Sequence, residues 1–304
     1  MRKARAEYDK LLKSLDNEAR QILSVFLAKI EVLIDTGGFS INDLHKLSDE
    51  LQQQVHEMIK SKSVIAIDFA KKVKAADFKP YLAEAQRLLI ARKVPAYIAK
   101  EALSLNRISP VFGGGLDNKI LDSVWNKVWP DALKVDDRIK LLSKKAMKFA
   151  EMTVKQGVSE GKSAANIAKE LRQHFEVEGL ERKAAFRLAA HTTNMCYQEA
   201  QAEISIGAKF VMGIRIMRGV YGPASDNCDI CEEHAGAPGG DGKEYYKDDF
   251  GGKDADLFVM AEMPGYHSNC NCGIETIYED AAQFVENARN GANNHLYSEG
   301  WKMG

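Results

Sequence analysis

Apolar positions follow a helical period over most of this chain. Between Tyr8 and Asp35, the residues Leu15, Ala19, Ile22, Phe26, Ile30 and Leu33 recur at steps of three and four, which lays one apolar stripe along a helix. Gly37-Gly38 stops that pattern, and Ser40 with Asp43 three residues on opens the next as a capping-box pair. Helical text continues over 51–73 and 81–105, where Pro95 predicts an end or a kink. Three consecutive glycines, Gly113 to Gly115, make 108–115 the candidate linker. Beyond it, Trp125 and Trp129 stand four apart and are expected on one helix face, as core anchors or as an interface hot spot.

The next helix starts at Asp136, with Ile139, Leu142, Ala146 and Phe149 inward, and ends near Gly157 and Gly161. Ser163 is positioned to cap a short helix that buries Ile167, Leu171 and Phe175. A third helix is expected over about 180–206, with Phe186, Ala190, Thr193, Tyr197, Ala200 and Ile204 on one side. Beside them runs a polar stripe, Arg187, His191, Asn194, Gln198 and Gln201, which reads as a solvent face; Cys196 lies outside it and reads as a core thiol. After Gly207 the period shortens to two. Residues 209–219 predict one or two short strands, with Ile214 and Ile216 facing away from Arg215 and Met217, and 274–278 alternates as a candidate partner. The acidic, glycine-rich stretch between Cys231 and His267 is expected to be a solvated loop, and 281–304 a loosely held tail. The expected fold is mainly α: a helical N-terminal body over 1–112, a helical part over 116–206, and a small α+β module over 207–280 with a zinc knuckle and short antiparallel strands.

Composition adds one feature to this picture. The net charge of −1 divides into +8 over residues 1–212 and −9 over 213–304. Contact with a nucleic-acid backbone, which needs Lys and Arg, therefore falls to the helical part. Its densest basic clusters, Lys71, Lys72 and Lys74, and Lys144, Lys145 and Lys148, are the candidate non-specific contacts to double-stranded DNA; the competing account is that they solvate helix faces. The charged N-terminus lacks the apolar run of a signal peptide, and no stretch reaches the roughly 20 apolar residues of a membrane span. The expectation is a protein made and folded in a cytoplasm.

The candidate chemistry lies in Cys228-Asp-Ile-Cys231 and His267-Ser-Asn-Cys270-Asn-Cys272, which hold four of the five cysteines. A C-x-x-C knuckle offers two thiolates to one ion, and zinc takes four N or S ligands in a tetrahedron. Five residues, Cys228, Cys231, His267, Cys270 and Cys272, thus compete for four places: Cys228, Cys231 and His267 take three, and Cys270 is preferred to Cys272 for the fourth. A metal-free cluster of packed thiols and a disulfide framework are the alternatives, the latter disfavoured by an odd cysteine count. A sulfur-rich set points to a closed, structural zinc. There is no H-E-x-x-H, and Glu232-Glu233-His234 only imitates its composition. A zinc-dependent hydrolase acting on nucleic acid through His234, His267 and nearby acids is one alternative function. A zinc-ribbon module binding DNA or a host factor through Tyr221, Tyr245 and Tyr246 is another.

Three helices over 136–206, a short strand, Asp226 to Cys231 with Ala235-Gly236, and His267 to Cys272 together resemble the Mu F-like phage head morphogenesis family. The resemblance covers about 120–280, and the helical stretch 184–197 looks like the family's helix before the strand. It implies a non-enzymatic minor capsid protein that joins the procapsid in few copies through the portal or major capsid protein. Its place would be the virion head interior near the portal, reached from the host cytoplasm during assembly, with possible ejection alongside the DNA.

Overall fold

The computed structural model describes residues 2–36, 41–103, 114–129, 132–178, 180–208, 210–218, 229–237, 240–246, 270 and 272–290. The fold is mainly α, with a small three-stranded antiparallel sheet toward the C-terminus. The helices are α1 (Arg2–Asp35), α2 (Ile41–Ala91), α3 (Ala96–Ala102), α4 (Gly114–Asn126), α5 (Val135–Ser159), α6 (Ala164–Arg172, continued as a π-turn over Gln173–Glu178) and α7 (Leu180–Gly207). Then come β1 (Val211–Met217), α8 (Asp229–Ala235), β2 (Lys243–Tyr246), β3 (Gly273–Tyr278) and α9 (Ala281–Arg289). No described helix is long and apolar enough to cross a membrane. The chain forms two compact units, Met1–Ser63 with Trp125–Thr193 and Val64–Val124 with Asn194–Gly304, so each is assembled from two separated stretches.

The first unit buries Leu15, Ala19, Phe26 and Ile30 of the expected α1 stripe together with Leu23 and Leu27, whereas Ile22 and Leu33 are only half-buried. Phe26 meets Phe175 edge to face at 5.9 Å, and Arg172 forms a two-pronged ion pair with Glu31. α2 and α5 are latched by a buried hydroxyl pair, Ser48 and Ser143, whose oxygens lie 2.7 Å apart. Ser163 caps α6 as expected, its side chain accepting the Asn166 N–H. Gly157 matters through its missing side chain, because a Cβ there would lie 2.7 Å from the Ile167 Cδ1 that fills the space. Trp125 and Trp129 do not share a helix. α4 ends at Asn126, since Pro130 disfavours helical backbone at the residue before it. Trp129 is buried nonetheless, with the Arg138 guanidinium 3.7 Å over its ring and His191 edge-on at 4.3 Å.

In the second unit, the sheet order is β2-β1-β3. Ile214 and Ile216 of β1 are buried, while Arg215 on the other face reaches Glu244 of β2 and Glu275 of β3, the residues directly opposite it. β1 and β2 approach closely at Gly213, where a Cβ would meet the Tyr245 carbonyl and come within 2.9 Å of the Tyr246 Cα. Two helical segments expected over 51–73 and 81–105 are instead joined in α2, which continues through Pro80. Proline forfeits one helical hydrogen bond there, but Phe78, Ala85 and Leu89 around it are fully buried. Phe78 and Tyr81 join Phe210, Tyr278 and Phe284 in one aromatic cluster. The helix stops before Pro95 in a Schellman turn, in which the Val94 N–H donates to the Leu89 carbonyl and Lys93 takes a φ of 53°. Part of the expected tail is ordered structure: Asp280 caps α9 by accepting the Ala282 and Gln283 N–H groups, and Phe284, Val285 and Ala288 are buried. The expected loop after Cys231 likewise contains most of α8 and all of β2.

Candidate metal centre

Two elements of the second unit bring the cysteines together. Cys231 is on α8, a short helix, and it is buried together with Ala235 one turn on. Cys270 and Cys272 precede β3. Residues two apart on an extended segment point to the same side, and both thiols are buried. The three sulfurs lie within 4.8 Å of one another, with Cys231 and Cys270 Sγ 4.0 Å apart. That is too far for a disulfide and close to the roughly 3.8 Å between ligands on a tetrahedral zinc with Zn–S bonds near 2.3 Å. Both Cys270 and Cys272 converge with Cys231. Cys228 and His267, the other two candidate ligands, lie outside the described residues. His234 lies on α8, half-buried, and does not join the cluster.

Crowding three thiols in a dry pocket makes ionisation unfavourable in the absence of a cation. The Cys272 thiol is pushed far up, first by its hydrogen bond with Cys270, then by burial and the neighbouring Cys270 charge; a bond from Cys231 and the charge of Arg218 pull the other way. A divalent cation reverses this balance, since it binds thiolates directly. The site can therefore hold a metal ion, and its donor set suits a soft or borderline one.

α7 supplies the support. Asn194 Nδ2 donates to the Cys270 carbonyl and Gln198 Nε2 to the Cys272 carbonyl, each at 3.4 Å. Four residues on a helix advance about 6 Å and two on an extended chain about 6.6 Å, so the amides match the carbonyls of a C-x-C segment. Further along, Ala202 shares a buried cluster with Ile274, and Ser205 meets Thr276 at 3.1 Å. The expected solvent face of this helix is thus largely interior: His191, Asn194, Gln198 and Gln201 are all buried, and only Arg187 is exposed. From β2, the Tyr245 hydroxyl donates to the His234 carbonyl and Lys243 to that of Glu233, which ties down the end of α8. Cys196 is fully buried, as expected of a core thiol.

The two lysine clusters part company. Lys74 is 1% exposed and its ammonium donates to Thr276 Oγ1 at 2.6 Å; Lys71 is paired with Asp117 at 2.7 Å. Lys74 cannot touch a phosphate, and Lys71 is engaged within the fold; Lys72 remains exposed. Lys144, Lys145 and Lys148 are all exposed on α5. Comparison with family models, with curated proteins and with solved structures returned no match.

Proposed function

We propose that the chain is a structural minor head protein of a tailed phage, whose C-terminal module is stapled by zinc. The observation that carries this is the convergence of Cys231, Cys270 and Cys272 beside α7 and β1. Helix, strand, C-x-x-C and C-x-C follow in the order of the Mu F-like family, and the three described cysteines of that frame close on one point. The ion is zinc, held by these cysteines with Cys228 or His267, and its work is structural: thiolate-rich sites are closed to water and substrate. The protein is assembled in the host cytoplasm into the head interior near the portal, in few copies, against portal or major capsid protein. Lys144, Lys145 and Lys148 touch packaged double-stranded DNA without reading its sequence.

Co-expression with the portal and major capsid proteins of the same genome tests this. The expected result is co-sedimentation with procapsids, well below capsid stoichiometry, by a chain carrying one zinc. A chain that stays at the top of the gradient, or that cleaves plasmid DNA when given Zn²⁺, Mg²⁺ or Mn²⁺, would overturn the assignment in favour of a hydrolase.

A further inference from the structure

We infer that Arg218 is the built-in counter-charge of the metal centre, placed by strand register to neutralise a thiolate-rich, net-anionic site. This rests on the zinc-staple assignment and adds to it a residue that binds no metal. Three thiolates around a divalent cation leave one negative charge, and four leave two. Such a charge, in a buried pocket with little water to screen it, calls for a cation nearby.

Strand geometry supplies one. β1 and β3 pair antiparallel with Ile214 opposite Thr276, Ile216 opposite Ile274 and Met217 opposite Gly273. Arg218 and Cys272 each stand one residue beyond the last pair, so the register carried one step further would set them opposite each other, on one face of the sheet. It is the same face that buries Ile214, Ile216 and Ile274. The Arg218 side chain is 2% exposed, as burial on that face requires. Its Nη1 donates to the Gly236 carbonyl at 3.4 Å, just beyond the end of α8, and it lies 3.8 Å from Glu232, the neighbour of Cys231 in sequence. The guanidinium therefore touches the helix that carries Cys231, from the residue that directly follows β1. Arginine fits this role because it keeps its charge when buried and holds a fixed fork of donors.

The test uses the full-length chain with Arg218→Gln, Arg218→Lys and Glu232→Gln variants. Zinc content is read by elemental analysis, affinity by competition with a chromophoric chelator, and coordination by the thiolate-to-metal absorption of the Co²⁺ form. The expected result for Arg218→Gln is one metal per chain with an unchanged cobalt spectrum but roughly 10–100-fold weaker zinc binding, the range for groups behind metal ligands. Arg218→Lys should recover most of the loss. Glu232→Gln should bind zinc as tightly as the wild type or tighter, since it removes a competing anion. Wild-type affinity in Arg218→Gln, or an equal loss in Glu232→Gln, would reduce Arg218 to a strap for α8 and overturn the inference. If Arg218→Gln fails to fold, a lysine variant as weak as a cysteine-to-serine variant overturns it equally. A wild-type chain that binds no metal would sink the zinc assignment itself, and this inference with it.

Discussion

Replacing Lys74 with methionine should stabilise the protein at neutral pH and flatten its alkaline stability profile. The Lys74 ammonium lies in the core of the second unit, and burial pushes its pKa down from 10.5 to about 8; Asp77 and Glu275 oppose the shift without cancelling it. Below about pH 8 the folded protein must hold a buried charge that the unfolded chain keeps in water, so the full cost applies. Between about 8 and 10.5 the unfolded chain still binds a proton that the folded one has shed, so stability rises with pH. Above that window both states are neutral and the cost is gone. The interval corresponds to about 3 kcal/mol. Methionine is one atom shorter than lysine and gives up the bond to Thr276, worth about 1 kcal/mol, so the net gain at pH 7 is about 2 kcal/mol. Urea titrations of wild type and Lys74→Met between pH 7 and 10, followed by circular dichroism, measure the difference directly. A bound metal contributes to both chains alike and drops out of it. Parallel profiles, or a methionine variant less stable at pH 7, would show that Lys74 is not paying for a buried charge.

Two further outcomes follow from particular contacts. Gly213→Ala should push β2 away from β1, because the added carbon meets backbone and not a movable side chain. Amide exchange at 243–246 should accelerate, and unchanged protection there would refute the close approach. Lys144, Lys145 and Lys148 changed together to alanine should weaken binding of random duplex by the full-length chain and lower its salt slope by about 3. Lys74→Met should leave both unchanged, and a triple variant that binds like wild type would end the DNA-contact proposal.

Much of this fold was legible in the periodicity. Leu15, Ala19, Phe26 and Ile30 of α1, Ile139, Leu142 and Ala146 of α5, the Ser163 cap and the pairing of β1 with β3 follow from spacing that local structure and burial satisfy together. Departures arise where tertiary packing overrides a local signal. The helical pattern leaves a gap between 73 and 81, yet α2 runs through it and through Pro80, with Phe78 and Tyr81 in the aromatic cluster. β2 is four residues long and gains its place from pairing with β1. The ligand frame was visible as C-x-x-C and C-x-C, and the alternation rule for an extended chain would have placed Cys270 and Cys272 on one side together. The least legible feature was the interior position of Asn194 and Gln198. Their spacing suits a wet helix face as well as a row of backbone acceptors, and only the C-x-C segment lying against them distinguishes the two.

The same alignment explains why a small sheet carries so much polar chemistry on its buried face. Along α7, Asn194, Gln198, Ala202 and Ser205 advance beside Cys270, Cys272, Ile274 and Thr276, so polar partners alternate with an apolar contact. A buried cation stands at each end: Arg218, one residue past the Met217–Gly273 pair, and Lys74 on Thr276. Their energetic positions differ. Lys74 meets a hydroxyl, and its nearest anions only partly offset burial, so its charge costs stability. Arg218 faces thiols that become anions on binding metal, so its charge is compensated when the centre is loaded. Metal loss should therefore be felt first at the Cys272 end of the face, where it leaves Arg218 beside neutral thiols. The Thr276 end, held by α2 and the aromatic cluster, should hold longer. Chelation should accordingly raise amide exchange around 231–235 and 272–274 before it reaches 276–278, and simultaneous loss of protection at both ends would show that the face melts as one piece.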